Sequence, residues 1–225
     1  MPNDITAERF AQGMTFDEYV AYIGSPENLQ RNANSGPRRD LSTFFREAFE
    51  QVRLTEDQEA ALRWLVAQPN GPAKMLVVSE EWSSDCQRDV PVFARIAEAS
   101  GMELRIFTRD GQEYDVPAGE PDIMAPYLNH KNGQSYRSIP ICAFYTKELG
   151  FLYQFTEYTA FYDKERVVVQ NIRAPKPGES ADETRDRALR EFNEVRQSPF
   201  WRIWQSAAVD EIVSALHRKL ALGVV

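Results

Sequence analysis

The sequence predicts an α/β fold: a central mixed sheet flanked by helices, with helical N-terminal and C-terminal extensions. Three observations carry this expectation. A short apolar, β-branched run (Lys74–Ser79, KMLVVS) precedes a helix-length segment and an alternating stretch, ELRIFT at 103–108. Two further strand-like runs, 139–146 and 152–157, are joined by Lys147-Glu148-Leu149-Gly150. On either side, apolar residues recur at helical spacing. The strand–helix–strand order favours a parallel pair through a right-handed crossover, and the later hairpin adds antiparallel strands. The expected division is a helical extension over 1–70, the α/β domain over 71–165 and a mainly helical extension over 166–225. At 225 residues, 43% of them hydrophobic, the chain can build a substantial core.

Along the first part, Phe16, Tyr19, Val20 and Ile23 follow three-to-four spacing, with Thr15 and Asp17 as start signals and Gly24-Ser25-Pro26 as a stop. Residues 27–38 are polar and read as a loop. Asp40 opens a helix to about Val52, with Phe44, Phe45, Ala48, Phe49 and Val52 on its apolar side. Thr55 followed by Gln58 has capping-box spacing, and that helix turns Ala61, Leu62, Leu65 and Val66 inward until Gln68-Pro69-Asn70-Gly71-Pro72 breaks it. After the Lys74–Ser79 strand, a helix runs from about Ser84 to Ser100 and stops at Gly101. Residues 109–119 read as a loop, Asp122–Leu128 as a short helix and Asn132-Gly133 as a turn. Residues 166–170 are ambiguous between strand and helix start. The Pro/Gly-rich stretch 174–180 reads as a linker. Residues 181–197 form a solvated helix with Leu189, Phe192 and Val195 inward. A last helix starts at Ser198-Pro199 and carries a stripe of Trp201, Trp204, Ala208, Ile212, Ala215 and Leu216, the two tryptophans as docking anchors.

The bulk numbers exclude several function classes. A net charge of −8 argues against a nucleic-acid or acidic-membrane surface. Two cysteines, Cys86 and Cys142, do not make a disulfide-stapled scaffold. No signal peptide is read at the N-terminus and no run reaches a membrane-spanning length, so a cytoplasmic, reducing location is the default expectation. His130 and His217 lack ligand spacing, and no metal is expected.

Chemistry concentrates in Ser79-Glu80-Glu81-Trp82-Ser83-Ser84-Asp85-Cys86, which leaves the carboxyl end of a buried strand and enters a helix. Open α/β sheets place their sites at such ends. A helix N-terminus also favours a thiolate, with a pKa of about 3.5–7.5 in reactive cases against about 8.5 free. Strand–Trp–x–x–x–Cys–helix with Trp82, Ser83, Cys86 and Pro91, followed later by a strand opening at Ile139-Pro140, resembles the thioredoxin superfamily. It is most similar to a bacterial thioredoxin-like branch with added helices, over roughly residues 72–160. The resemblance implies a thioredoxin fold and a cis Pro140 facing the motif turn, where it docks substrate backbone. It implies a thiol–disulfide oxidoreductase needing no cofactor, acting on a protein or small-molecule thiol or disulfide, with Cys86 and Ser83 in the catalytic positions. Trp82, Ser84, Asp85, Ile139 and Pro140 would line the substrate.

The motif departs from that family where it matters. The attacking position holds Ser83, and a hydroxyl does not perform thiol–disulfide exchange. Three readings stay open: a thiol protein acting through Cys86, a redox-inactive module that binds a partner peptide or protein, and a Cys-to-Ser variant of an active dithiol enzyme. Bland readings stand beside these. Ser83 or Ser84 caps the helix, with Ser84 and Gln87 at capping-box spacing; Cys86 is a small buried hydrophobe; Cys142 is core; Trp82 is packing; and Glu80, Glu81 and Asp85 are solvated charges. A Cys86–Cys142 disulfide requires Cα atoms within about 7 Å. Oligomeric state is not legible.

Overall fold

Polar side chains cap α2 and α5 where the sequence places them. The computed structural model describes residues 5–31, 38–109 and 122–222. After a five-residue helix, α1 (Ala7–Ala11), the Thr15 hydroxyl accepts from Glu18 N and the Glu18 carboxylate accepts from Thr15 N, opening α2 (Phe16–Ile23). Residues 27–38 are not wholly loop: Ser25 caps a short helix, α3 (Pro26–Gln30), with proline in its first turn. Helix α4 (Ser42–Gln51) begins without a side-chain cap bond, since the Asp40 carboxylate bonds Ser42 N as a local turn. The Thr55–Gln58 capping box opens α5 (Glu56–Val66), which buries Leu62 and Leu65.

Strand β1 (Lys74–Ser79) leads into α6 (Ser84–Ser100), which ends at Gly101 with φ 75°, a left-handed position that suits glycine. Strand β2 (Glu103–Thr108) follows. The loop expected at 109–119 lies outside the described residues except for Arg109. In place of a helix at 122–128 there is one 3₁₀ turn, Ala125–Tyr127. The Asp122 carboxylate bonds Met124 N, and Leu128 is already extended. Asn132-Gly133, both at positive φ, joins two three-residue strands, β3 (Asn129–Lys131) and β4 (Gln134–Tyr136). Strands β5 (Ile141–Tyr145) and β6 (Phe151–Thr156) form the expected hairpin. Residues 165–172 form a π-helical turn. Helices α7 (Ala181–Gln197) and α8 (Pro199–Leu222) complete the chain.

The four-stranded sheet runs β2-β1-β5-β6, with β1 and β2 parallel and the other two pairings antiparallel. This is a mixed α/β sheet with helical regions before and after it. Val77 sits in the middle, opposite Ile106 on one side and Cys142 on the other. Helix α6 packs on β1 and β2 and is walled by α4, α5 and α8. Helix α8 also lies on β6, burying Ala208, Ile212 and Leu216, while Trp201 is buried and Trp204 half-buried.

Helix α7 differs from expectation. Leu189 is exposed, Phe192 and Val195 are half-buried, and the buried residue is Arg187. Its guanidinium donates to the carbonyls of Ile172 and Ala174, each at 2.7 Å, and pairs with Glu179 at 2.6 Å and Glu191 at 3.2 Å. A cation is favoured there because the π-helical turn presents unsatisfied carbonyls at its end.

Candidate functional site at the β1–α6 turn

The turn that leaves β1 is closed by Ser83 N donating to Glu80 O at 3.1 Å. Ser83 is the N-cap of α6 and Ser84 its first helical residue. The neighbouring strand brings the second part of the motif to the same end of the sheet. Val78 pairs with Ile141, so one step further Ser79 lies beside Pro140. The Ile139–Pro140 peptide is cis, both residues are buried, and Pro140 O accepts from Glu157 N at 2.8 Å. Ser83, Ser84, Cys86 and the Ile139-Pro140 pair, distant in sequence, thus converge on one end of the sheet.

Cys86 is fully buried. Burial pushes its thiol up to about 12, against hydrogen bonds from the Ser79 and Ser83 side chains and the Glu80 backbone that favour the thiolate. The dipole of α6 and these neighbours do not overcome the loss of water. Cys142, on β5, is also buried with its thiol pushed far up by desolvation, and both cysteines are free. Behind Cys86, the Tyr19 hydroxyl of α2 lies 2.9 Å from Ser79 Oγ. Burial raises the Tyr19 phenol well above its ordinary range, so it bonds as a neutral hydroxyl.

Neither serine caps α6 through its side chain. Gln87, the expected box partner of Ser84, is engaged elsewhere. Its Nε2 donates to Glu81 O at 2.7 Å, and its Oε1 accepts from Arg196 of α7 at 2.7 Å. The Ser83 hydroxyl faces Cys86 instead.

The acidic residues of the motif are not solvated. Glu80 and Glu81 are buried and paired with arginines from before α4: Arg38 lies 2.9 Å from Glu80 and 2.6 Å from Glu81, and Arg31 lies 3.0 Å from Glu80. Arg109 N also donates to Glu80 Oε1 at 2.9 Å. Asp85 is buried between Lys164 and Arg88, the latter at 3.0 Å. Arg88 is itself fully buried. It pairs with Asp89 at 2.6 Å, donates to Glu157 O at 3.1 Å and lies over the rings of Tyr162 and Trp201 at 4.6 and 5.6 Å. These carboxylates are buried because each has a cation at hydrogen-bond distance; alone, any of them would resist removal from water.

Trp82 is half-buried, with the Arg109 guanidinium 5.5 Å from its ring centroid and no hydrogen-bond acceptor for its indole N–H among the described residues. Sequence reasoning missed Tyr19, Arg31, Arg38, Arg88 and Arg196. Their partners lie on other elements or demand burial of an arginine, which no local pattern signals. His130 bonds Ser135, and the His217 ring lies tilted against Trp64. Among the described residues no group of His, Cys, Asp and Glu is arranged to hold a metal, and no helix is long and apolar enough to cross a membrane.

This strand–turn–helix beside a cis proline has a counterpart in sequence. A family model described as thioredoxin matches residues 39–171, more than half of the chain. The chain belongs to the thioredoxin family. The match takes in the whole sheet of this thioredoxin-like protein, the motif turn and α4 and α5 before it. No curated protein matches the sequence. Two solved structures are similar in fold. One is a protein of unknown function from Pseudomonas aeruginosa, with a TM-score of 0.51 and 12% identity over 95% of this chain and 98% of that one. The other is an HIV epitope scaffold, with a TM-score of 0.51 and 15% identity over 99% of this chain and 100% of that one.

Proposed function

We propose that this thioredoxin-like protein descends from a thiol–disulfide oxidoreductase and now serves as a redox-inactive module that binds a partner protein. The observation that carries the reading is the state of Cys86: fully buried, its thiol pushed up to about 12, with Ser83 in the attacking position. At pH 7 such a thiol is protonated. Exchange needs a thiolate with access to a disulfide, and neither condition is met. Ser83 and Cys86 then act as structural groups, bonded within the turn. Trp82, Ser84, Asp85, Ile139 and Pro140 are the inherited substrate-facing positions. Of these, half-buried Trp82 and Ser84 are the ones a partner reaches, since Asp85, Ile139 and Pro140 are buried. Two buried, unpaired cysteines suit a reducing compartment, and we assign the protein to the cytoplasm.

The test combines insulin reduction with thiol mapping. The expected result is no turnover, and alkylation of Cys86 only in denaturant. Rapid labelling of Cys86 in the native protein would overturn the reading. A second reading, that Ser83 stands where an active enzyme has cysteine, draws support from Ser83 sitting at the N-cap of α6, three residues before Cys86. Ser83→Cys separates the two. No gain in insulin reduction supports the inactive module, and recovered turnover supports the dithiol enzyme.

A further inference from the structure

We propose that the N-terminal helical layer is a cap over the motif turn, latched by Arg31 and Arg38 on Glu80 and Glu81, so that releasing the latch exposes Cys86 while the sheet stays folded.

The latch begins with two adjacent buried carboxylates. Glu80 and Glu81 sit in the turn itself, and neither is tolerable in the interior without a cation. The side-chain ion pairs come from before α4. Arg38 Nη1 donates to both oxygens of Glu81, at 2.8 and 2.6 Å, and its Nη2 lies 2.9 Å from Glu80 Oε2. Arg31 Nη2 lies 3.0 Å from Glu80 Oε1.

Buried Asn28 ties both arginines to the cap. Its Oδ1 accepts from Arg31 and from Arg38, each at 3.3 Å, and its Nδ2 donates to Ile23 O at the end of α2 at 3.1 Å. Arg31 also donates to Tyr22 Oη of α2 at 3.2 Å. Turn, arginines, Asn28 and α2 therefore form one polar chain. Helix α2 closes the loop from its other side through the Tyr19 hydroxyl on Ser79 Oγ, and the Ser79 side chain favours the Cys86 thiolate. The cap thus touches both ends of the turn and reaches the group beside the thiol.

The latch is the polar part of this contact, beside the apolar packing of Tyr19, Val20 and Ile23 in the core shared with β1 and α6. Removing the cation leaves a carboxylate that must be rehydrated, and water reaches it by parting the cap from the turn. The β1–β5 pairing involves neither arginine, so the sheet holds when the polar latch opens. A competing cover lies on the other side, where Arg196 of α7 donates to Gln87 and its guanidinium lies 4.4 Å from the Phe44 ring centroid. The proposal assigns closure to the N-terminal side.

The experiment is native-state alkylation of the full chain with iodoacetamide, resolving Cys86 and Cys142 by peptide mass. Cys142 reports global unfolding, because it lies on central strand β5. In Arg38→Gln, Cys86 labelling rises by at least about tenfold while Cys142 stays as protected as in wild type. Arg31→Gln, whose side chain is partly exposed, gives a smaller rise of the same kind and serves if Arg38→Gln does not fold. Arg196→Gln leaves Cys86 protected. An unchanged Cys86 in both latch variants overturns the proposal, as does a parallel rise at both cysteines or release by Arg196→Gln to the same degree. The proposal rests on Cys86 being closed in the unaltered protein. The wild-type arm tests that separately: fast labelling there defeats the functional reading, whereas a slow wild type with slow variants defeats only the cap.

Discussion

Replacing Arg88 with methionine keeps the aliphatic stem inside the protein and removes only the guanidinium. Arg88 is fully buried, and its loss strips Asp89 of its partner at 2.6 Å and Asp85 of one of its two cations. It also removes the charge lying over Tyr162 and Trp201 and the donor to Glu157 O. Breaking one side of a buried pair costs about 3–5 kcal/mol. For a chain of this size each kcal/mol moves the melting temperature by roughly 2–4 °C, so the expected fall is about 6–20 °C. The deficit also depends on pH, and its sign follows from Asp89. Burial already raises its folded-state pKa, and losing Arg88 raises it further above the unfolded value. Such a carboxyl favours the folded state below its unfolded pKa and loses that contribution as pH rises through the folded one. The variant is therefore closest to wild type near pH 4 and furthest from it near pH 8. Calorimetry across that range is the assay, with Arg88→Met/Asp89→Leu as the companion that recovers most of the loss. A single variant melting within about 3 °C of wild type at pH 8, or a deficit that ignores pH, refutes the burial argument.

Three further outcomes are expected. The stability contributed by protonated Cys86 is present below its unfolded pKa near 9 and is lost as pH rises toward 12, so the urea midpoints of wild type and Cys86→Ala should converge or cross between pH 9 and 11. A gap that stays constant over that range contradicts the raised thiol. Gly101→Ala places a Cβ in open space at φ 75°, so its cost is conformational alone, about 1–2 kcal/mol by urea denaturation. Thr55→Ala removes one half of the α5 capping box and costs about 1 kcal/mol in the same assay.

Local chemistry made much of the fold legible. Thr15, Thr55 and Gly101 mark helix ends through bonds to their own neighbours, and the run at 75–78 marks a strand because both its faces are buried. The short hairpin at 129–136 escaped, apart from its Asn132-Gly133 turn, since NHK and QSY carry no apolar alternation. Arg187 escaped because an arginine at a helical position reads as surface, and its burial is made favourable by the Ile172 and Ala174 carbonyls together with Glu179 and Glu191. At the site, the strand–turn–helix and the Ile139-Pro140 pair were visible in order. The burial of Glu80, Glu81 and Asp85 was not, because their cations are Arg31, Arg38, Arg88 and Lys164, drawn largely from distant parts of the chain. A charged run carries no mark of whether its counterions are water or protein.

Helix α6 is enclosed to an unusual degree: twelve of its 17 residues are buried, charged ones among them. A helix in that position has few sites open to drift. Enlarging a side chain collides with α4, α5, α8 or the sheet, and altering a charge strands its opposite on another element. Exchange of oxygen for sulfur at position 83, nearly isosteric and outside the ion-pair network, is among the small set of changes that leave the surroundings intact. Over generations, variation in this protein should therefore collect on the outer faces of α7 and α8, while the α6 interior changes in matched pairs or not at all.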